Sequence, residues 1–312
     1  MVGHNGVQRA TLGMKYEKVP VSIPDQLIRL EQRGLLVTDR VSAERHLSNI
    51  SYYRLRAYTY PFQNNRDPEH PFILTVSFNE IIALYEFDRR LRHLVFGALE
   101  AIEISFRTQI IHHWALSHGS HWHLKAELFR DTKQFVKDRS RLNDEIDRSK
   151  ENFIQHYKAK YTNPASPACW MSLEVTSFGL LSKLYFNLNS GPEKKALTHF
   201  YGLHKVDILE NWMHSFSNLR NICAHHGRLW NRRLTAHIKI PRNTTYPFVE
   251  ITSSNPYKLY PVLCCIKYTL DRIIPTQNFG DELKDLMSQC PLDQEHAMGF
   301  PTDWEHDSFW SE

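Results

Sequence analysis

The sequence predicts an all-α fold, and three observations support that prediction. The segment Asn79–His113 repeats apolar side chains at steps of three and four residues, which aligns them along one face of a helix. Several shorter segments have a similar spacing and are bounded by glycine, proline or a capping residue. Only Thr235–Ile240 alternates apolar and polar residues as a β-strand does. The pattern therefore favours a bundle of helices.

The N-terminal elements are short. A first helix is predicted over Pro24–Arg33 and ends before Gly34, because glycine readily adopts the left-handed conformation that terminates a helix. A second helix is predicted over Ser42–Asn49, with Ser42 as its N-cap. The long helix over Asn79–His113 follows.

The later elements are predicted from the same kinds of signal. They are a charged helix or helix pair over Asp131–Lys160, and helices over Leu173–Leu188, Pro192–Tyr201, Asp207–His226, Tyr257–Ile274 and Gly280–Gln289. Because no repeat and no sharp change of composition interrupts the chain, one α-helical domain is predicted over residues 20–288. Residues 1–19 are predicted to be a flexible N-terminal tail and residues 289–312 a C-terminal tail.

Composition excludes several classes of protein. Of the 312 residues, 42% are hydrophobic, which excludes a wholly disordered chain. No apolar run approaches the roughly 18 residues of a membrane span, and Met1–Lys15 lacks the apolar core of a signal peptide. The five cysteines form no C-x-x-C pair, so neither a zinc ribbon nor a disulfide framework is indicated. These features predict a cytoplasmic protein without a membrane partner.

The most informative stretch is Arg220-Asn221-Ile222-Cys223-Ala224-His225. Arginine can grip a phosphate with two hydrogen bonds and stays charged. Histidine can give or take a proton near neutral pH. Together they are the parts that a metal-free ribonuclease needs, and we predict neither a metal nor another cofactor.

The spacing alone is weak evidence. With 22 arginines and 18 histidines in the chain, chance gives about one such match per fixed spacing, and Arg107…His112 and Arg232…His237 share it. The surroundings add weight, because residues 211–249 contain no Asp or Glu. That span also contains three arginines predicted to bind RNA: Arg228, Arg232 and Arg233. A basic stretch of this kind is typical of polyanion binding, although a solvated face balanced by acids elsewhere is the alternative.

Helix geometry constrains the motif. One face of the predicted helix, about residues 207–226, is apolar, and Asn221 and His225 lie on another. Arg220 and His225 are about 140° apart on an ideal helix. Either a long arginine side chain reaches around the helix, or the two side chains meet one phosphate across the axis of a homodimer, which this separation favours. Gly227 is predicted to end the helix.

The segment Ser215–Asn231 resembles the abortive-infection (Abi) phage-resistance proteins, and other blocks agree in the same order over roughly Leu27–Trp230. The matching blocks are Gly34-Leu35, Ile50–Leu55 with Tyr58, Leu84–Asp88 with Leu91-Arg92, Glu100–Glu103 with Arg107, and Ser177–Gly179 with Leu181-Ser182 and Leu184-Tyr185.

The resemblance extends to the HEPN superfamily, and it implies a fold and an activity. The expected fold is a HEPN-type helical bundle with additional N-terminal and C-terminal helices. The expected activity is a metal-independent endoribonuclease, an RNA-cleaving toxin of phage defence, with a homodimer as its active form. Arg220 would hold the scissile phosphate, His225 would act as acid or base, and Asn221 would orient one of them. A structured non-coding RNA that restrains the toxin is a further implied partner.

Other residues have competing interpretations. Glu103 and Arg107 have the spacing of an ordinary helix ion pair, or they support the motif. His226 is a structural hydrogen-bonding group, an RNA contact or a supporting residue. A histidine cluster, from His112 to His123, is interpreted as a solvated loop rather than a metal site. The tyrosines at 52, 53 and 58 either stack on bases or pack in the core.

Two functional hypotheses remain at this point. The first is the HEPN ribonuclease of phage defence. The second is a non-catalytic RNA-binding protein held in a ribonucleoprotein complex, which would show salt-sensitive RNA binding without turnover. A purely protein-binding regulator is a weaker third.

Overall fold

The computed structural model describes residues 17–250 and 255–310. Over that part of the chain it contains twelve α-helices, several short 3-10 helices and no β-strand. The prediction of an all-α fold is therefore confirmed. Most of the tail predicted over residues 1–19 lies outside the described residues.

The described chain forms two compact units that divide after Ile82. The first unit contains three short helices, α1 (Ile23–Gln32), α2 (Arg40–Ile50) and α3 (Tyr52–Thr59). The long helix α4 (Phe78–His118) spans the division. The single domain predicted over residues 20–288 stays a prediction.

Helix α1 ends at glycine, as the sequence predicts. Gly34 has φ +100°. Its N–H donates to the carbonyl of Glu31 at 2.8 Å, and the N–H of Leu35 donates to the carbonyl of Leu30 at 3.0 Å. This pair of hydrogen bonds is the Schellman motif.

Helix α2 begins two residues before its predicted start. Its N-cap is Asp39, whose carboxylate accepts from the backbone N–H of Ser42 at 3.0 Å. The prediction of Ser42 as the N-cap was therefore wrong, since Asp39 already satisfies an N–H of the first turn.

The second unit contains the other eight helices. They are α5 (Thr132–Arg148), α6 (Asn152–Lys160), α7 (Cys169–Ser172), α8 (Phe178–Asn187), α9 (Pro192–Phe200), α10 (Val206–Ala224), α11 (Leu259–Ile273) and α12 (Phe279–Met287). The predicted helix over Leu173–Leu188 is shorter, because α8 begins at Phe178.

Aromatic side chains join α4, α8 and α10 in the core of the second unit. Phe106 of α4 is fully buried. Its ring stacks on Phe216 of α10 with 6.4 Å between centroids, meets Tyr201 edge-on at 4.8 Å, and lies 6.3 Å from Phe178 of α8. Because buried aromatic rings remove a large apolar area from water, this cluster fixes α10 against α4.

Thr235–Ile240 forms no strand, although its residues alternate as those of a strand do. The segment runs alongside α10 instead. The indole N–H of Trp212 donates to the carbonyl of Lys239 at 2.8 Å, and the Asn211 amide bonds to the backbone of His237 and Lys239. Ile238 is buried while its two neighbours are exposed. The segment alternates because it lies extended against α10, so that successive side chains point towards the helix and away from it.

The chain after α12 contains buried aromatic residues within the region predicted as a C-terminal tail. Trp304 and Trp310 are buried, and their rings lie 6.2 and 6.0 Å from Tyr260 of α11. They cover α11, in which every residue from Leu259 to Leu270 is buried. A helix that is buried on every side is enclosed in this way, and its buried Lys267 is paired with Asp271.

Candidate functional site

Helix α10 carries the predicted motif, and its apolar face packs as predicted. The buried side chains on that face are Ile208, Trp212, Phe216, Leu219 and Cys223. On the opposite side Asn221 and His225 are exposed. The amphipathic spacing therefore fixes which motif residues face solvent.

His225 lies at the C-cap of α10, the last position before the chain leaves the helix. Its backbone N–H still donates to the carbonyl of Asn221, at 3.0 Å. The imidazole is exposed, and within residues 17–250 and 255–310 no hydrogen bond to it is formed. The imidazole is therefore open to solvent at the end of the helix.

His226, rather than Gly227, is the left-handed residue that ends α10. His226 has φ +55°. Its N–H donates to the carbonyl of Cys223 at 2.9 Å, and the N–H of Gly227 donates to the carbonyl of Ile222 at 2.7 Å. This is again the Schellman motif. Gly227 allows the chain to pass close to α10, since an added Cβ would lie 3.0 Å from the Ile222 side chain.

A carboxylate on α4 holds the motif arginine. Glu103 is buried, and its Oε2 lies 3.3 Å from Nε of Arg220. Its Oε1 accepts from Arg107 at 2.9 Å. The Arg220 side chain is 32% exposed, and its guanidinium lies 5.9 Å from the centre of the Phe96 ring. Arg220 is thus oriented by α4 and still reachable from solvent.

Arg107 shares that carboxylate from a buried position. Its second contact is a 2.8 Å hydrogen bond to the carbonyl of Thr176. Its Nε is buried and has no hydrogen-bond partner among the described residues. Two guanidinium groups therefore share one carboxylate, Glu103, and the cluster keeps a net positive charge that suits an anion.

The structure brings Glu103, Arg107 and Arg220 together, but it does not join Arg220 to His225. The guanidinium of Arg220 faces α4, whereas the His225 imidazole lies exposed at the helix end. No hydrogen bond links these two described side chains. The 140° separation on an ideal helix is consistent with this arrangement.

Asp88 of α4 anchors the chain that follows His225, and sequence reasoning assigned it no role. Its side chain is fully buried. Oδ1 accepts from the backbone N–H groups of Leu229 and Trp230 at 3.0 and 2.7 Å, and Oδ2 pairs with buried Arg92. The i, i+4 spacing of Asp88 and Arg92 was visible in the sequence. The backbone N–H groups that Asp88 binds lie about 140 residues further along the chain.

The predicted RNA-binding arginines lie in the segment after α10 with unequal exposure. Arg228 and Arg232 are half-buried and donate to the carbonyls of Asn231 and Arg228. Arg233 is exposed, with its guanidinium 4.1 Å from the Tyr257 ring centre. Lys258, which was not predicted, lies close by, and burial together with Arg228 and Arg233 lowers the pKa of its ammonium.

Comparison with known protein families gives a match over much of the chain. The model of the family described as Abi-like protein matches residues 45–231, which is more than half of the chain. The chain belongs to the Abi-like protein family. Comparisons with curated proteins and with solved structures find no significant match. The matched segment includes α4, α8 and α10, and therefore every residue of the Glu103, Arg107 and Arg220 cluster.

Family membership supports a role in abortive infection, a form of phage defence. The matched region of this Abi-like protein ends just after Trp230, so it also contains the Asp88 anchor and His225. In the described part of the chain, none of the helices has both the length and the apolar character of a membrane span.

The remaining candidates divide between core and surface. Tyr58 is buried, while Tyr53 is 85% exposed. In the histidine cluster His123 is buried. Burial is the main cause that lowers its pKa to about 4, and the charge of His121 is the second. Within residues 17–250 and 255–310, ligand-type side chains approach metal-binding spacing at Asp303, Glu305 and His306, which are exposed and belong to the C-terminal segment.

Proposed function

We propose that this Abi-like protein is a metal-independent endoribonuclease that acts in phage defence, with Arg220 and His225 as its catalytic residues. The observation that carries the proposal is the Glu103 carboxylate, which orients Arg220 beside Arg107 and leaves part of its side chain open to solvent. A guanidinium that is fixed in orientation and accessible from solvent is suited to bind a phosphate.

Arg220 would bind the scissile phosphate. A guanidinium donates two parallel hydrogen bonds to phosphate oxygens, and it stabilises the negative charge that develops when the phosphorus is attacked. Glu103 would act as a positioning residue because its carboxylate orients the Arg220 guanidinium, and Arg107 would support it by sharing that carboxylate. The net positive charge of the cluster favours the phosphate over water.

His225 would move the proton. The ribose 2′-oxygen attacks the neighbouring phosphorus, the bond from phosphorus to the 5′-oxygen breaks, and the products are a 2′,3′-cyclic phosphate and a 5′-hydroxyl. The 2′-hydroxyl loses one proton and the leaving oxygen gains one. An exposed imidazole at a helix C-terminus can serve either step, and Asn221 would orient the imidazole or the phosphate.

A homodimer would bring the two parts of the site together. Helix α4 presents an uncharged stripe spaced by three and four residues, formed by Gly97, Ala101, Ile104, Thr108, Ile111 and Ala115, all exposed or half-buried. Such spacing suits packing against a second helix. Gly97, Ile104 and Thr108 directly follow Phe96, Glu103 and Arg107, so a second copy on this stripe would lie next to the Arg220 cluster.

The test is cleavage of labelled transfer RNA or another structured RNA in EDTA. We expect wild-type protein to leave cyclic phosphate ends, and His225→Ala and Arg220→Ala to lower the rate by at least a hundredfold. His112→Ala is the matched control, because His112 also follows an arginine by five positions and is exposed. It should cleave like wild type. Equal cleavage by wild type and His225→Ala would overturn the assignment.

A non-catalytic RNA-binding protein is the second candidate. The span without Asp or Glu over residues 211–249 and the exposed stack of Arg233 on Tyr257 favour it. It predicts tight, salt-sensitive RNA binding with no turnover, weakened when Arg228, Arg232 and Arg233 are replaced. RNA that co-purifies with the protein would identify a restraining RNA partner and is compatible with either function.

A further inference from the structure

A cavity of about 960 Å³ lies between α5, α8 and α10, on the side of α10 away from the core. Its volume is within the range of small-molecule and nucleotide sites. Side chains from each helix line it, among them Gln134, Lys183, Phe186, Asn211 and His214. None of the roles proposed above uses this cavity.

Phe186 gives the cavity an open aromatic surface. The ring is 55% exposed, so a ligand in the cavity can reach it from solvent. The guanidinium of Arg130 lies 4.2 Å from the ring centre. Arg130 is held there by the carbonyl of Phe186 and by the Glu210 carboxylate, 3.3 Å away. An aromatic ring paired with a guanidinium is a sequence-tolerant platform for a nucleobase.

The carboxylates in the cavity wall are already satisfied. Asp207 pairs with Lys239 at 2.7 Å, and Glu210 pairs with Lys194 at 2.6 Å. Asp131 accepts from the first turn of α5 as its N-cap. Lys183 is exposed and forms no ion pair within residues 17–250 and 255–310. The charge left over for a ligand is therefore positive, as a phosphate requires.

A polar stripe connects the cavity to His225. The residues at steps of three and four along α10 are Asn211, His214, Asn218, Asn221 and His225, all exposed or half-buried. Only Asn and His occur in it, and Nδ2 of Asn218 lies 3.1 Å from Nε2 of His214. These side chains hydrogen-bond to phosphates, sugars and base edges without adding negative charge. From His214 to His225 the stripe is about 16 Å long, which a few nucleotides of single-stranded RNA can span.

We propose that this cavity binds one nucleobase of the RNA substrate by stacking on Phe186, with the adjoining phosphate towards Lys183 and His214. The polar stripe then leads the strand along α10 to the scissile phosphate near His225. The inference rests on the proposed ribonuclease function and adds to it a second subsite that fixes where the strand lies.

The test measures binding separately from cleavage. The full chain with His225→Ala is titrated against a fluorescein-labelled, unstructured oligouridylate of about twelve nucleotides, and Kd is read from anisotropy. Adding Phe186→Ala should weaken binding about tenfold, as the loss of one stacked base does, whereas Phe186→Trp should preserve it. Phe153→Ala is the matched control, since Phe153 is a partly exposed phenylalanine on α6, and it should leave Kd unchanged.

Several results would overturn the subsite, and they are distinguishable from failure of the ribonuclease. Unchanged RNA binding in Phe186→Ala, with wild-type cleavage intact, would refute the subsite alone. Binding that depends on Phe186 without any cleavage by wild type would support the subsite and refute the nuclease. No binding of the oligouridylate by the parent would refute the subsite, and cleavage of structured RNA by wild type then decides the nuclease separately. Uridine monophosphate is the second probe, and Phe186-dependent binding of it without an effect on RNA would assign the cavity to a free nucleotide.

Discussion

His226 adopts a backbone conformation that ordinarily belongs to glycine. Its φ of +55° ends α10 with the same pair of hydrogen bonds that ends α1 at Gly34. A side chain in this conformation costs about 1 kcal/mol or more. Such strain is often kept where a side chain is needed, and here the residue directly follows His225.

His226→Gly separates the backbone role of this residue from that of its imidazole. We expect the free energy of unfolding, measured with urea, to stay the same or rise by up to about 1 kcal/mol, because glycine relieves the left-handed strain. His226→Ala keeps the strain and serves as the comparison. A loss of more than about 1 kcal/mol in the glycine variant would show that contacts of the imidazole outweigh the strain.

His123 predicts how stability depends on pH. Burial and the charges of His121 and Arg139 lower its pKa to about 4, while an unfolded histidine titrates near 6.5. Below pH 6.5 the His123 imidazole binds a proton in the unfolded chain but stays neutral in the folded chain. The free energy of unfolding therefore decreases as the pH falls from about 6.5 to 4. Unfolding curves in urea between pH 4.5 and 7 should show a smaller pH dependence for His123→Gln than for wild type. Equal dependence would contradict the assignment.

At the scale of elements, Asp88 links α4 to the segment that leaves α10. It is buried, pairs with Arg92, and accepts from the N–H groups of Leu229 and Trp230. Arg92 is also almost fully buried. Removing either partner would therefore leave a buried charge without its counter-charge and destabilise the fold. The position of the chain directly after His225 therefore depends on α4.

Asp88→Asn should destabilise the protein by about 3–5 kcal/mol, because it leaves the Arg92 charge buried without its counter-charge. Glu86→Gln is the matched control on the same helix. Glu86 pairs with Arg89 at 2.6 Å, but both side chains are about half exposed, so its loss should cost less than about 1 kcal/mol. Urea unfolding measures both. Similar costs for the two variants would mean that Asp88 is no anchor.

At the scale of the whole molecule, the proposed activity rests on the homodimer proposed above. Arg220 faces α4 and His225 faces solvent. Three residues of the uncharged stripe on α4 each directly follow, in the sequence, a residue of the cluster around Arg220. A two-fold axis along this stripe would place two identical surfaces together, as symmetric dimers require.

Ile104→Glu should convert the dimer to a monomer, since Ile104 lies at the middle of the stripe and is 53% exposed in one copy. A charge at the centre of such an interface cannot be solvated. Light scattering after size exclusion measures the mass, and the cleavage assay should lose its rate in parallel. Val136→Glu is the control, because Val136 is an exposed β-branched residue on α5. A monomeric wild type would refute the dimer.

The sequence alone determined the helical class, the apolar face of α10 and the glycine end of α1. These follow from local patterns, since periodicity and capping residues act within a few positions. Two segments depart from what their local pattern suggests. Thr235–Ile240 alternates without forming a strand because it lies against α10, and α10 ends with His226 in a left-handed conformation that its residue type rarely adopts.

Only the tertiary structure decided which distant residues surround the motif. The spacing of Arg220 and His225 was equally present in two other pairs of the chain. Contacts with α4 distinguish it, because Glu103 lies more than 100 positions from Arg220 and Asp88 as far from Trp230. Ion pairs and backbone anchors between remote segments leave no periodic trace in a single sequence. The motif could be recognised in the sequence, but only the fold shows that the Glu103 carboxylate orients Arg220.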